Sequence, residues 1–140
     1  MRALSQEEGS ADMPLANRTP VTFLFTRARE KALPFYRDVL GLTFVGSDQF
    51  ADRFDLNGVS LRIVPIPDHS PSPHTVLGWD VPDIAATCAA LRAKGVTFEI
   101  YEGFGQDELG IWTAPDGHAK IAWFLDPDGN NLSVTESPAD

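Results

Sequence analysis

An internal repeat constrains this chain more than any other feature. The segment LGLTFV at 40–45 returns as KGVTFE at 94–99, with Gly41 and Gly95 54 residues apart. The segment DLNGVSLRIV at 55–64 returns as DPDGNNLSVT at 126–135, with Gly58 and Gly129 71 residues apart. Each copy carries the same order of signals: a strand, a helix, then three strands. The drift between the two offsets puts a longer middle loop in the second copy, around Glu102 to Leu109. Four short strands cannot bury both of their faces alone. Two such units side by side give an α+β fold. Its two tandem βαβββ modules form a curved mixed sheet, with a concave cavity and helices on the convex face.

The elements follow from local pattern. Val21 to Thr26 is β-branched and aromatic and reads as a strand. Residues 29–40 carry apolar groups at helical spacing, in conflict with Pro34, which should start or kink the helix. Strands are expected at 42–47, 50–56 and 59–66, with Asn57-Gly58 as a two-residue hairpin turn. The proline-rich run 67–73 separates the halves. In the second half, strands are expected at 74–79, 96–101, 110–114, 119–125 and 130–135. A helix opens near Pro82 with Asp80 or Asp83 at its positive end. Residues 1–18 read as a mobile tail, 19–136 as one domain (modules 19–67 and 74–136), and 137–140 as a C-terminal tail.

Charge and cysteine content narrow the function. Eleven Lys and Arg stand against twenty Asp and Glu, a net charge of −9. No basic footprint marks a nucleic-acid or anionic-membrane surface. No apolar run approaches the ~20 residues of a membrane helix, and no secretory signal opens the chain. Cys88 is the only cysteine, so no disulfide framework exists. The expectation is a cytoplasmic protein acting on a small molecule.

Three motifs, in this order and spacing, resemble the vicinal oxygen chelate superfamily of glyoxalase I, bleomycin-resistance proteins and extradiol dioxygenases. They are Phe35-Tyr36-Arg37-Asp38-Val39-Leu40-Gly41, Leu91-Arg92-Ala93-Lys94-Gly95 and Asp126-Pro127-Asp128-Gly129-Asn130. The resemblance covers about residues 20–136 and implies a homodimer. It also implies a site at four related positions: the 71-residue offset relates Arg62 to Ser133, and the 54-residue offset takes His74 to Pro20, which a one-residue loop difference makes Val21. In metal-dependent members these positions carry His, Glu or Gln. Only His74 matches, and about three protein ligands are needed for a catalytic zinc, so no metal and no other cofactor is expected. The resemblance comes closer to the bleomycin-resistance branch.

Strand parity supports the same location. Val59, Leu61 and Ile63 form an apolar face, so Arg62 points toward the cup or toward solvent. In the cup it would fork onto a carboxylate or phosphate, with Ser133 and His74 adding hydrogen bonds. The alternative is an internal salt bridge or a surface arginine. Phe23, Phe25 and Trp112 are candidates to stack on a flat ligand. The choice among Ile111, Trp112 and Trp123 stays open, since parity depends on strand starts. His74 has an alternative role as a hydrogen-bonded edge residue. His69 and His118 lie in turns and receive no role.

The primary reading is therefore a protein that binds a small, aromatic or anionic molecule in the cavity without a metal. The alternative is a lyase, isomerase or dioxygenase of the same fold. It would use His74 or Glu108 as acid or base, with Asp107 and Tyr101 nearby, or a metal on His74 with Glu108 or Glu99. A third reading is an accessory domain that contacts a partner through its 1–18 tail.

Overall fold

The computed structural model describes residues 13–138. The expectation for the tail falls largely outside that range, and residues 13–18 form a turn closed by Arg18 N–H donating to the Leu15 carbonyl at 3.1 Å. The first module runs β1 (Val21–Thr26), α1 (Arg29–Pro34), β2 (Thr43–Ser47), β3 (Asp52–Leu56) and β4 (Val59–Pro65). The second runs β5 (Thr75–Asp80), α2 (Ile84–Ala93), β6 (Trp112–Thr113), β7 (Lys120–Leu125) and β8 (Asn131–Glu136). Strand order is β1-β4-β3-β2 in one sheet and β5-β8-β7-β6 in the other. β1 pairs parallel to β4 and β5 parallel to β8, and the remaining pairs are antiparallel. The mixed α+β architecture is as expected, built as two four-stranded halves whose first strands, β1 and β5, are sheet edges.

Pro34 does not kink a single long helix. It is the last residue of α1, and Phe35–Val39 continue as a π-helical turn in which Leu40 N–H donates to the Phe35 carbonyl at 2.9 Å. A proline has no N–H to give the preceding turn, and the wider winding absorbs the missing bond. The hairpin forms as expected: Asn57 and Gly58 have φ of 53° and 101°, the double left-handed geometry of a tight turn between twisted strands. Asp83 caps α2, accepting from Ala86 N–H at 3.1 Å.

One expected strand is replaced. Residues 96–101 keep the alternation, with Val96 and Phe98 buried, but make only an isolated bridge between Phe98 and Phe124. The Gln106 side chain takes the place of a neighbouring strand. Its Oε1 accepts from Tyr101 N–H at 2.7 Å, and its Nε2 donates to the carbonyls of Glu99 at 2.9 Å and Gly110 at 2.7 Å. The chain therefore turns out of the sheet at Tyr101, and β6 shrinks to two residues.

Gly110 closes this loop at φ +87°, where an added Cβ would stand 2.8 Å from Phe98 Cβ. Gly110→Ala is expected to cost about 1–3 kcal/mol, from the left-handed backbone and a contact that only main-chain movement relieves. Urea unfolding checks this; a loss within ~0.5 kcal/mol, the range of an ordinary surface substitution, would contradict it.

The core is one cluster shared by both modules. Leu61 and Ile63 on β4, and Leu132 and Val134 on β8, are buried on the faces turned to it, with Tyr36, Phe54, Ile84, Cys88 and Phe124. Among the described residues, no helix is long and apolar enough to cross a membrane.

Candidate functional site

Two structures position the site: a clamp that joins the modules and an aromatic pocket in the second. The clamp is the turn from Asp126 to Asn130. Asp126 Oδ1 accepts from the backbone N–H groups of Asp128 (2.8 Å) and Asn130 (2.9 Å), which closes the turn. Its Oδ2 accepts from Tyr36 Oη (2.5 Å) and Asn130 Nδ2 (2.8 Å). Asp128 accepts from Thr26 Oγ1 and from Arg27 N–H, and Asn130 Nδ2 also donates to the Phe25 carbonyl at 2.9 Å. Each of three buried polar side chains of the second module thus has a partner at the end of β1 or at Tyr36, beside the bonds that close the turn itself. Burial, and then the facing Asp126, push the Tyr36 phenol far above its ordinary range. His69, assigned no role from the sequence, places Nε2 2.8 Å from Asn130 Oδ1 and fixes the linker to the same turn.

The pocket lies on the face of the second sheet opposite the core. On β7, Phe124 and Ala122 point inward, so Trp123 points out. Trp123 gathers three more rings: Tyr101 at 5.4 Å, Phe104 at 5.9 Å and Trp112 at 6.3 Å between centroids. Phe104 also contacts Tyr101 and Trp112. Beside these rings is a pocket of about 280 Å³ whose other wall is Pro73, His74, Thr75 and Asn131. The Gln106 bonds hold the loop that carries Tyr101 and Phe104, so this loop is a built wall.

The candidates from sequence separate into three groups. His74 lines the pocket, exposed, one residue ahead of β5, and Trp112 belongs to its aromatic cluster. The register pairs Val21 with Ser60 and Thr75 with Asn131, so Thr75 rather than His74 stands where Val21 stands in the first sheet. Ser133 pairs with Gly78 as Arg62 pairs with Phe23, at the expected 71-residue spacing. Ser133 is buried, however, with Oγ 2.6 Å from where a Cβ on Gly78 would lie. Phe23, Phe25 and Arg62 share the open face of the first sheet, and Arg62 has no ion-pair partner among the described residues. Glu108 borders a different cavity, beside Arg92 and Ile100, and is not brought to His74. Ile111 is buried in the core.

Sequence reasoning missed Phe104 and Asn131 as pocket residues. Both had a signal: Phe104 is the one aromatic of the long loop, and Asn131 opens the closing strand. A further cavity of about 200 Å³, lined by Leu40, Leu42, Trp79, Leu91 and Phe124, lies where the end of the first helix meets the second module.

The four positions that hold a metal in metal-dependent members do not fit one here. Val21 has no donor, Arg62 is a cation, Ser133 is a buried neutral hydroxyl, and the fourth position is Thr75 by register, with His74 beside it offering a single imidazole. Among the described residues, no three His, Cys, Asp or Glu side chains gather where they could hold an ion.

The family model of the Glyoxalase/Bleomycin resistance protein/Dioxygenase superfamily matches residues 18–134. The chain belongs to this superfamily. A search of the curated proteins finds no match. Solved structures with the same fold include a lactoylglutathione lyase from Agrobacterium tumefaciens, with TM-score 0.65 and 20% identity over 86% of this chain and 93% of that one. An antibiotic binding protein from a Streptomyces species superposes with TM-score 0.65 and 22% identity, over 88% and 98%. A glyoxalase/bleomycin resistance protein from Catenulispora acidiphila does so with TM-score 0.64 and 24% identity, over 86% and 98%. For this superfamily member these likenesses establish the fold alone.

Proposed function

We propose that this superfamily member binds a small, flat, partly aromatic molecule in the pocket of its second module, with no metal taking part. One observation carries the reading. Four aromatic rings are linked by five ring contacts, and three of them, Tyr101, Phe104 and Trp123, line a pocket whose opposite wall is polar, at His74, Thr75 and Asn131. Ligand pockets combine apolar walls with a few placed polar groups in this way. The superfamily neighbours include both an antibiotic binding protein and a lyase. The poor donor set of this chain supports the first kind of role.

The test is a titration of bicyclic aromatic compounds, followed by tryptophan fluorescence, before and after exhaustive treatment with a chelator. The expected result is saturable quenching with the same Kd in both. Binding that disappears with the chelator and returns with a divalent ion would contradict the metal-free reading.

A metal-free enzyme of the same fold is the second reading, favoured only by His74 at the pocket. Its signature would be turnover lost in His74→Ala with ligand affinity retained.

The chain acts as a homodimer. Phe23 is 52% exposed, beside Val21 and Phe25 on a strand whose outer edge is open, an apolar stripe that a second copy of the chain would cover. Arg62 on the same face is the cation offered to an anionic group of ligand or partner chain. Light scattering is expected to give twice the chain mass for the wild type and one chain mass for Phe23→Asp. A monomeric wild type at tens of micromolar would overturn the proposal.

A further inference from the structure

The pocket contains a hydrogen-bond donor whose direction is set by its neighbour. Asn131 is buried, and its amide orientation follows from its partners. The group 3.4 Å from the Pro73 carbonyl must be the NH2, because a carbonyl only accepts. The Oδ1 on the other side accepts from Thr75 Oγ1 at 3.0 Å. The same Nδ2 stands 3.0 Å from Tyr101 Oη and therefore donates to it. The Tyr101 oxygen is thus an acceptor toward Asn131, and its own proton is turned away from that residue. Among the described residues no acceptor takes that proton. Tyr101 and Asn131 both line the pocket, and the Tyr101 ring packs on Trp123 and Phe104.

We propose that Tyr101 is the specificity-determining residue of the pocket. Its hydroxyl, oriented by Asn131, donates to an acceptor oxygen on the edge of a flat aromatic ligand stacked against Trp123. The ligand class is then an aromatic compound bearing a ring-attached carbonyl, selected over the hydrocarbon of the same shape. This rests on the aromatic-pocket reading above.

The experiment compares 2-acetylnaphthalene with 2-ethylnaphthalene on the full-length protein, with Kd from tryptophan quenching. The wild type is expected to prefer the ketone by about tenfold, the value of one well-placed hydrogen bond. Tyr101→Phe should bring the ratio near one while leaving the hydrocarbon Kd unchanged, so hydrocarbon binding reports that the pocket is intact. Asn131→Asp should also abolish the preference, because a carboxylate at 131 accepts the Tyr101 proton and turns it away from the ligand. A ketone preference that survives Tyr101→Phe overturns the proposal and leaves the aromatic pocket standing. Loss of both compounds from Tyr101→Phe also overturns it, since Tyr101 would then hold the stack without reading the oxygen. Failure of both compounds to bind the wild type overturns the pocket reading, and this proposal with it; binding of the hydrocarbon but not the ketone overturns this proposal alone.

Discussion

Trp123→Ala should remove ligand binding almost entirely while leaving the protein folded. Trp123 and Phe104 each touch the other three rings, but Trp123 stands on the sheet itself and Phe104 on the loop, so the loss of Trp123 takes the floor from under Tyr101, Phe104 and Trp112 together. Truncating a central aromatic anchor costs about 2–4 kcal/mol of binding, roughly 30- to 1,000-fold in Kd. Its core-side neighbours Ala122 and Phe124 keep their packing, so the fold should survive. Calorimetric titration with a bicyclic aromatic measures the loss, and Trp123→Phe should recover much of it by restoring a ring. An alanine variant that binds within threefold of the wild type would place the site elsewhere.

Asp126→Ala should be the most destabilising single substitution in the turn. It strips the acceptor from two backbone N–H groups, from the Tyr36 hydroxyl and from the Asn130 amide, all in buried surroundings. Leaving such donors unpaired costs about 3–5 kcal/mol in sum. For a domain of this size that is roughly a 10–18 °C fall in melting temperature. Tyr36→Phe removes one of these bonds and should cost about 1–3 kcal/mol, as for a bond to a charged group. It also carries a pH signature. The folded phenol keeps its proton well beyond the pH at which an unfolded tyrosine ionises, about 10. A group with its folded pKa raised stabilises fully below the unfolded value and loses that contribution as pH climbs above it. Urea midpoints should therefore fall between pH 9.5 and 11 in the wild type, and less steeply in Tyr36→Phe. An Asp126→Ala protein that melts within 2 °C of the wild type would show that the turn does not join the modules energetically.

The fold was legible because its determinants are local and repeated. Asn57-Gly58 can only be a tight turn, and Leu61 and Ile63 declare their inward face by alternation. The 71-residue spacing also survives in the strand registers, where Arg62 and Ser133 are equivalent. What could not be read depends on side chains that take the place of backbone. Gln106 satisfies the groups that a strand at 96–101 would have paired, and nothing in its own neighbourhood announces that. The 54-residue offset carries Val21 to Thr75, and the one-residue loop difference needed to reach His74 instead is not there: the registers of β1 and β5 agree at Val21 and Thr75 and part only at the bulge after Thr75. The pocket itself is set by long-range meetings, Tyr101 with Trp123 and Asn131 with Tyr101, which no periodicity encodes. Asp126-Pro127-Asp128-Gly129 was readable as a turn, but its grip on Tyr36 and Thr26 was not.

Small molecules should enter beside the aromatic rings of the second module. Amide chemical-shift mapping during titration with 2-acetylnaphthalene tests this most directly. Shifts are expected to concentrate at residues 74–75, 101–104, 112, 123 and 131. Shifts concentrated instead at Leu40, Leu42, Trp79 and Leu91, or on the open face around Phe23 and Arg62 alone, would contradict it.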